Sequence, residues 1–226
     1  MEKSALYAKK LKCPVCADAF TSMRPRSSML KVAKRDSDFC VHYKNDINPL
    51  FYDVYVCPHC GYAALSDQFD KISTEGKKLH MDNLAKNWVP RDYSGERTLD
   101  QALECYKLAL LCAQVRHAKP SELAAICMCI AWLYRFAKDE EEEKRFLKAA
   151  LDQYIAAYEH QMDNSEHEIN MIYLIGELYR RLGDYSQAVQ WLSRVVNHKD
   201  KAKYPALVNM AQDVWQSIRD AKNTAR

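Results

Sequence analysis

Cys13-Pro14-Val15-Cys16 and Cys57-Pro58-His59-Cys60 place four thiols in two knuckles, each with two residues between its cysteines. That spacing lets both sulfurs of a knuckle reach one ion at about 2.3 Å, and two knuckles complete a tetrahedral thiolate set of the kind that holds structural zinc. The chemistry expected of Cys13, Cys16, Cys57 and Cys60 is therefore the binding of one structural Zn2+. Proline after the first cysteine of each knuckle presets the turn, and Gly61 tolerates the left-handed backbone such turns need. Cys40, His42 and His59 are further candidate ligands in the same segment. A filled four-cysteine set leaves them out. Displacement of one cysteine would bring in His42 or His59 and open the site to catalysis or sensing.

Little else in the chain has the makings of catalysis. Arg35-Asp36-Ser37-Asp38 brings two carboxylates together, but such a run reads as a solvated turn. There is no Gly-rich phosphate loop and no His-Glu-x-x-His helix. The expectation is a protein that is not an enzyme. Arg24, Arg26, Lys31, Lys34 and Arg35 form a basic stretch, yet it lacks the interleaved aromatics that stack on bases, so it reads as solubility charge.

The knuckles need a scaffold. Leu50, Tyr52, Val54 and Val56 alternate with Phe51, Asp53 and Tyr55, the period of a strand running into the second knuckle. Met29 to Ala33 is a plausible partner strand, with turn signals at Asn45-Asp46 and Asn48-Pro49. A small antiparallel sheet carrying the metal at one end is expected over residues 1–65. So small a head has little core, and metal binding on the order of 10 kcal/mol would supply the missing stability.

From residue 66 onward the pattern is helical. Ser66 is a candidate N-cap, and the periodicity resumes at Thr98 and again at Pro120. Ile175-Gly176-x-x-Tyr179, then Gly183-Asp184-Tyr185, Ala188, Leu192 and Val195, match the tetratricopeptide pattern over one unit of about 34 residues. Blurred copies lie at Ile130, Ala131 and Tyr134 with Ala150, Tyr154 and Ala157, and at Ala102, Tyr106 and Ala109. The segment from Pro205 to Lys222 reads as a capping helix. The fold class expected is α+β, mainly α: a zinc-ribbon-like β head followed by a tetratricopeptide-like helical repeat stack over residues 66–226. The repeat register places Met128, Trp132, Arg135, Asn170, Tyr173, Glu177 and Arg180 on the concave face. Such a set suits a peptide groove, or a surface against which the head leans.

Composition narrows the classes further. Of the formal net charge of +3, residues 1–65 carry +4 and the remainder −1. Four thiolates and one Zn2+ would take the head down by two, too little charge to argue for nucleic acid by itself. No apolar run is long enough to cross a bilayer, and the N-terminus lacks a signal-peptide pattern, so a cytoplasmic chain is expected, with no membrane partner. The five cysteines outside the knuckles, Cys40, Cys105, Cys112, Cys127 and Cys129, then read as reduced, buried thiols.

Several of these residues resemble a bacterial family known as domain of unknown function 2225. The likeness rests on Cys13 to Cys16, Asp36-Ser37-Asp38-Phe39-Cys40, Asn48-Pro49 with Tyr52, and Cys57-Pro58-His59-Cys60-Gly61-Tyr62-Ala63. It extends to Glu96-Arg97-Thr98 and Ala131-Trp132-Leu133-Tyr134-Arg135. The resemblance implies a cytosolic bacterial protein with zinc-binding and tetratricopeptide-like parts, and it implies no activity. Three readings follow. One is a scaffold or adaptor for a protein or peptide. The others are a nucleic-acid-associated zinc ribbon and a thiol and zinc redox sensor with Cys40 as resolving thiol.

Overall fold

The computed structural model describes residues 4–44, 47–160 and 168–224. The turn expected at Asn45-Asp46 lies outside the described residues. The N-terminal part is built from three two-stranded antiparallel ribbons. In the first, β1 (Leu6–Lys12) pairs with β2 (Ala19–Pro25), Leu6 opposite Pro25 and Lys12 opposite Ala19. The second pairs β3 (Val32–Arg35) with β4 (Val41–Tyr43), and the third β5 (Val54–Val56) with β6 (Ala63–Leu65).

This differs from the single small sheet expected. Met29 ends a 3-10 turn over Ser27–Met29, and the following strand pairs with Val41–Tyr43 instead of residues 50–56. Residues Pro49–Tyr52 also form a 3-10 turn, because the Asn48 side chain accepts the Leu50 amide and Pro49 fixes the first turn position. Only Val54–Val56 of the alternating run is extended.

Helices follow: α1 (Thr74–Asn83), α2 (Leu99–Val115), α3 (Pro120–Ala137), α4 (Glu140–His160), α5 (Glu168–Arg181), α6 (Tyr185–Val196) and α7 (Pro205–Thr224). The first begins later than expected. Ser66 spends its hydroxyl on Asp53 at 2.6 Å, and Ser73 caps the helix by accepting the Gly76 amide. Thr98 and Gln101 form a reciprocal capping box on α2. Lys138, in the left-handed region at φ 61°, ends α3.

From α2 to α7 each helix packs on the next in chain order. The helices α5 and α6 approach closely. A Cβ on Gly176 would stand 2.9 Å from the Leu192 side chain and 3.2 Å from its backbone nitrogen, so glycine is what lets these helices meet. Ala188 is fully buried beside them.

Head and helices share one apolar core. The second helix lies against β5 and β6 on one side and α3 on the other. Phe69 is fully buried among the rings of Phe20, Tyr55 and Tyr62. Arg97, just before α2, is buried too. Its guanidinium donates to the carbonyls of Phe51, Val54 and Tyr93 and to the Ser22 hydroxyl, which ties three segments of the head to the start of the helices. Among the described residues, no helix is long and apolar enough to cross a membrane.

Candidate metal centre and the buried acidic loop

The knuckles are copies of one turn set on two different ribbons. In the first, the Cys13 amide donates to Asp18 O at 2.9 Å and the Ala17 amide to Cys13 O at 3.0 Å. In the second, the Cys57 amide donates to Tyr62 O at 2.9 Å and the Gly61 amide to Cys57 O at 3.0 Å. Both turns need a left-handed residue, Ala17 at φ 66° and Gly61 at φ 73°.

The turns aim the four sulfurs at one another. Cys13 Sγ lies 3.7 Å from Cys60 Sγ, and Cys16 Sγ lies 3.6 Å from Cys57 Sγ. A tetrahedron of metal–sulfur bonds of about 2.3 Å has edges of about 3.8 Å, so the spacing suits an ion at the centre. Electrostatics point the same way. Cys57 is held well below the ordinary thiol range, at about 2, by hydrogen bonds from Cys13 and Cys60. Its companions are pushed up, Cys13 and Cys60 chiefly by sharing those hydrogen bonds and Cys16, to about 12, chiefly by burial. Four thiolates this close repel one another, and holding all four needs a cation among them. The four cysteines could hold a metal ion.

The helices brace the second knuckle. Trp88 Nε1 donates to Pro58 O at 2.8 Å, and its ring lies where a Cβ on Gly61 would fall. His80, buried on α1, places Nε2 2.9 Å from Cys60 O, with the Cys112 sulfur 3.8 Å from Nδ1. Burial lowers the pKa of His80, favouring the neutral ring, with Nε2–H donating to the carbonyl and Nδ1 accepting from the thiol. Sequence reading missed His80 because nothing in α1 links it to residue 60. His59 is exposed.

Cys40 and His42 do not join the knuckles. With Asp36 they form a separate cluster, on the arm made by β3, β4 and the loop between them. That loop is also the main correction to the solvated turn expected at Arg35 to Asp38. The Asp36 amide donates to Cys40 O at 2.8 Å, Phe39 takes φ 70°, and Asp38 is fully buried. Asp38 and Cys40 are buried, and Asp36, Ser37 and Phe39 half-buried, because the loop sits against α3 and α5 on the face expected to be concave.

Most of the residues projected onto that face meet the loop. Arg135 grips Asp38 with two bonds, NH2 to Oδ2 at 2.6 Å and NH1 to Oδ1 at 3.1 Å. Arg135 also donates to Asp36 at 3.0 Å and to Glu143 at 2.8 Å. Trp132 Nε1 reaches Asp38 at 3.2 Å, and the Tyr173 hydroxyl donates to Ser37 O at 2.8 Å while its ring packs on Phe39. Glu177, fully buried, accepts from Ser37 Oγ at 2.6 Å and from Arg180 and Arg181. Met128 is buried in the helical core and Asn170 is half-buried. The face is thus occupied by the chain's own head.

Charge in this seam is well matched. Burial works against the Asp38 carboxylate, but the Arg135 hydrogen bond and the charges of Arg181 and Arg135 hold its pKa below the usual range. Asp36 is held at about 2, against burial, by His42 and Lys34. The Cys40 thiol goes the other way, to about 12, because burial penalises the thiolate. Beside the arm lies a cavity of about 330 Å³ lined by Arg24, Phe39, Cys40, Tyr43, Leu50 and Trp132, among others.

The chain belongs to a family described as an uncharacterized protein conserved in bacteria, DUF2225, whose profile matches residues 6–218. An uncharacterized protein of Borreliella burgdorferi strain ATCC 35210 is 28% identical over 193 residues, covering 74% of this chain and 68% of its own. No solved structure matches.

Proposed function

We propose that this protein is a non-catalytic scaffold in the cytoplasm, with one structural Zn2+ in the head and a tetratricopeptide-like body that presents a surface to a protein partner. One observation carries the reading. The polar side chains best suited to chemistry, on the concave face, are engaged in holding the head to the body. A sulfur-only zinc site has no open position for water, and its role is to fix two ribbons to each other. The partner surface is then the exposed outside of the body, because the concave face is filled.

Metal analysis with X-ray absorption on the purified chain, combined with in-cell cross-linking, tests this. Zinc in an all-sulfur shell at the four-cysteine site, with cross-links from one protein concentrated on α2 to α7, supports it. A water or nitrogen ligand at the four-cysteine site would overturn the structural role, and turnover of any substrate would overturn the scaffold.

A second reading, nucleic-acid association, has one observation in its favour. Lys9, Lys10 and Lys12 are exposed along β1, with Tyr7 exposed under the Arg26 guanidinium, 5.1 Å from the ring centre. This is one exposed aromatic in basic surroundings, a pairing that the linear sequence did not display. It predicts affinity for single-stranded nucleic acid that falls steeply with salt and is lost in Lys9→Ala with Lys10→Ala. The redox reading loses support, because Cys40 is buried and clusters apart from the knuckle sulfurs.

A further inference from the structure

The arm carries a second set of ligating side chains. Across its ribbon Lys34 stands opposite His42, and the Asp36 amide bonds to the Cys40 carbonyl. Side chains alternate along a strand, so Asp36, Cys40 and His42 share one face. One donor atom from each lies within 4.8 Å of the others. The cluster is a carboxylate, a thiol and an imidazole drawn from seven consecutive residues, and two of the three are the donor types zinc favours after thiolate. The His42 ring is held edge-on by Phe136 at 5.3 Å, and Cys40 is buried.

We propose that Asp36, Cys40 and His42 form a second metal site, for a borderline divalent cation such as Zn2+, distinct from the four-cysteine centre. Asp36 is oversupplied with donors: Lys34 at 3.3 Å, His42 at 2.7 Å and Arg135 at 3.0 Å. Lys34 is mostly exposed and swings away at little cost. Arg135 keeps Asp38 and Glu143 when Asp36 turns to the ion. The cation then replaces the hydrogen bond between His42 and Asp36. Their 2.7 Å separation widens to the edge of a tetrahedron with bonds of about 2.0 Å, roughly 3.3 Å. Cys40 binds as thiolate, so each ion taken up releases one thiol proton to solvent. Three protein ligands leave a fourth position for a water.

The test is a count of tightly bound metal. The full chain is purified metal-free and titrated with Zn2+ against a chromophoric chelator, then with Co2+ to read its thiolate charge-transfer band. Wild type is expected to take two ions. Cys40→Ser and His42→Gln should each take one, and that ion should show a sulfur-only shell, which also certifies that the head has folded. Cys57→Ser removes the other ion, so failure at the knuckles is read separately. One ion in wild type would overturn the proposal, as would two ions that persist in both Cys40→Ser and His42→Gln.

Discussion

Arg135 on α3 holds Asp38 in the head with two hydrogen bonds, although the two residues are 97 positions apart and the carboxylate is fully buried. Bidentate pairing of this kind fixes direction as well as charge. It turns the face of the helical body into a socket for its own N-terminal arm.

Removing the guanidinium should be costly. Arg135→Ala leaves Asp38 buried with Arg181, Trp132 and the Cys40 amide, and breaking such a buried pair costs about 3–5 kcal/mol. Arg135→Lys should recover only part of this, because an ammonium cannot make the forked contact. Urea unfolding of both variants measures the difference, and a loss under 1 kcal/mol in Arg135→Ala would sink the idea that the seam matters to stability.

The second anchor is separable. Ser37 Oγ donates to Glu177 across 140 residues at 2.6 Å. Ser37→Ala should cost about 1–3 kcal/mol and Glu177→Gln more, since Arg180 and Arg181 then face a neutral amide in place of the carboxylate. A double-mutant cycle should show coupling on the order of 1 kcal/mol. Strict additivity would mean that the arm and α5 are energetically independent.

The two knuckles offer a matched pair of backbone tests. Ala17 occupies the left-handed region at φ 66°, a conformation that penalises a Cβ, so Ala17→Gly should stabilise the apo head or leave it unchanged within about 1 kcal/mol. Gly61→Ala should do the opposite, by about 2 kcal/mol or more, because its Cβ would also fall 2.5 Å from the Trp88 ring. Thermal melts with and without chelator report both.

In the body, Gly176→Ala sets helix propensity against packing. Alanine gains up to about 1 kcal/mol as a helix former, and overpacking costs about 1–3 kcal/mol. The Leu192 backbone cannot retreat as a side chain would, so net destabilisation is expected. Gly95→Ala, with open space around the new methyl, serves as the control. Equal stability of the two variants would show that α5 and α6 can separate without cost.

What was legible in the sequence was local. Two residues between cysteines dictate a knuckle wherever it occurs, and Gly176, Tyr179 and Ala188 mark a helix pair through spacing within one repeat. The ribbon of β1 was not legible. It runs Leu6-Tyr7-Ala8-Lys9-Lys10-Leu11-Lys12 with Leu6 alone buried, so no alternation announces it, and it is specified by pairing with β2 and by the turn at Cys13. The burial of Asp38 was hidden for a different reason. An acidic loop is indistinguishable from a solvated one until its cations are known, and here they come from α3 and α5. The same distance concealed the grouping of Trp132, Arg135, Tyr173 and Glu177 around the loop: periodicity put them on one face and said nothing of its occupant.

The long reach of the Asp38 and Ser37 contacts also bears on how the chain is made. Synthesis delivers the arm first, before the cations that hold Asp38; Arg135 follows Asp38 97 residues later, while Glu177 follows Ser37 by 140. Loops that long close late, because the entropy of bringing their ends together must be met before any contact repays it. The four knuckle cysteines lie within residues 13–60 and are made before any helix of the body. The acidic arm is therefore the last piece of the head to find its place, and a nascent chain stalled before α3 would carry all four knuckle cysteines and an undocked arm.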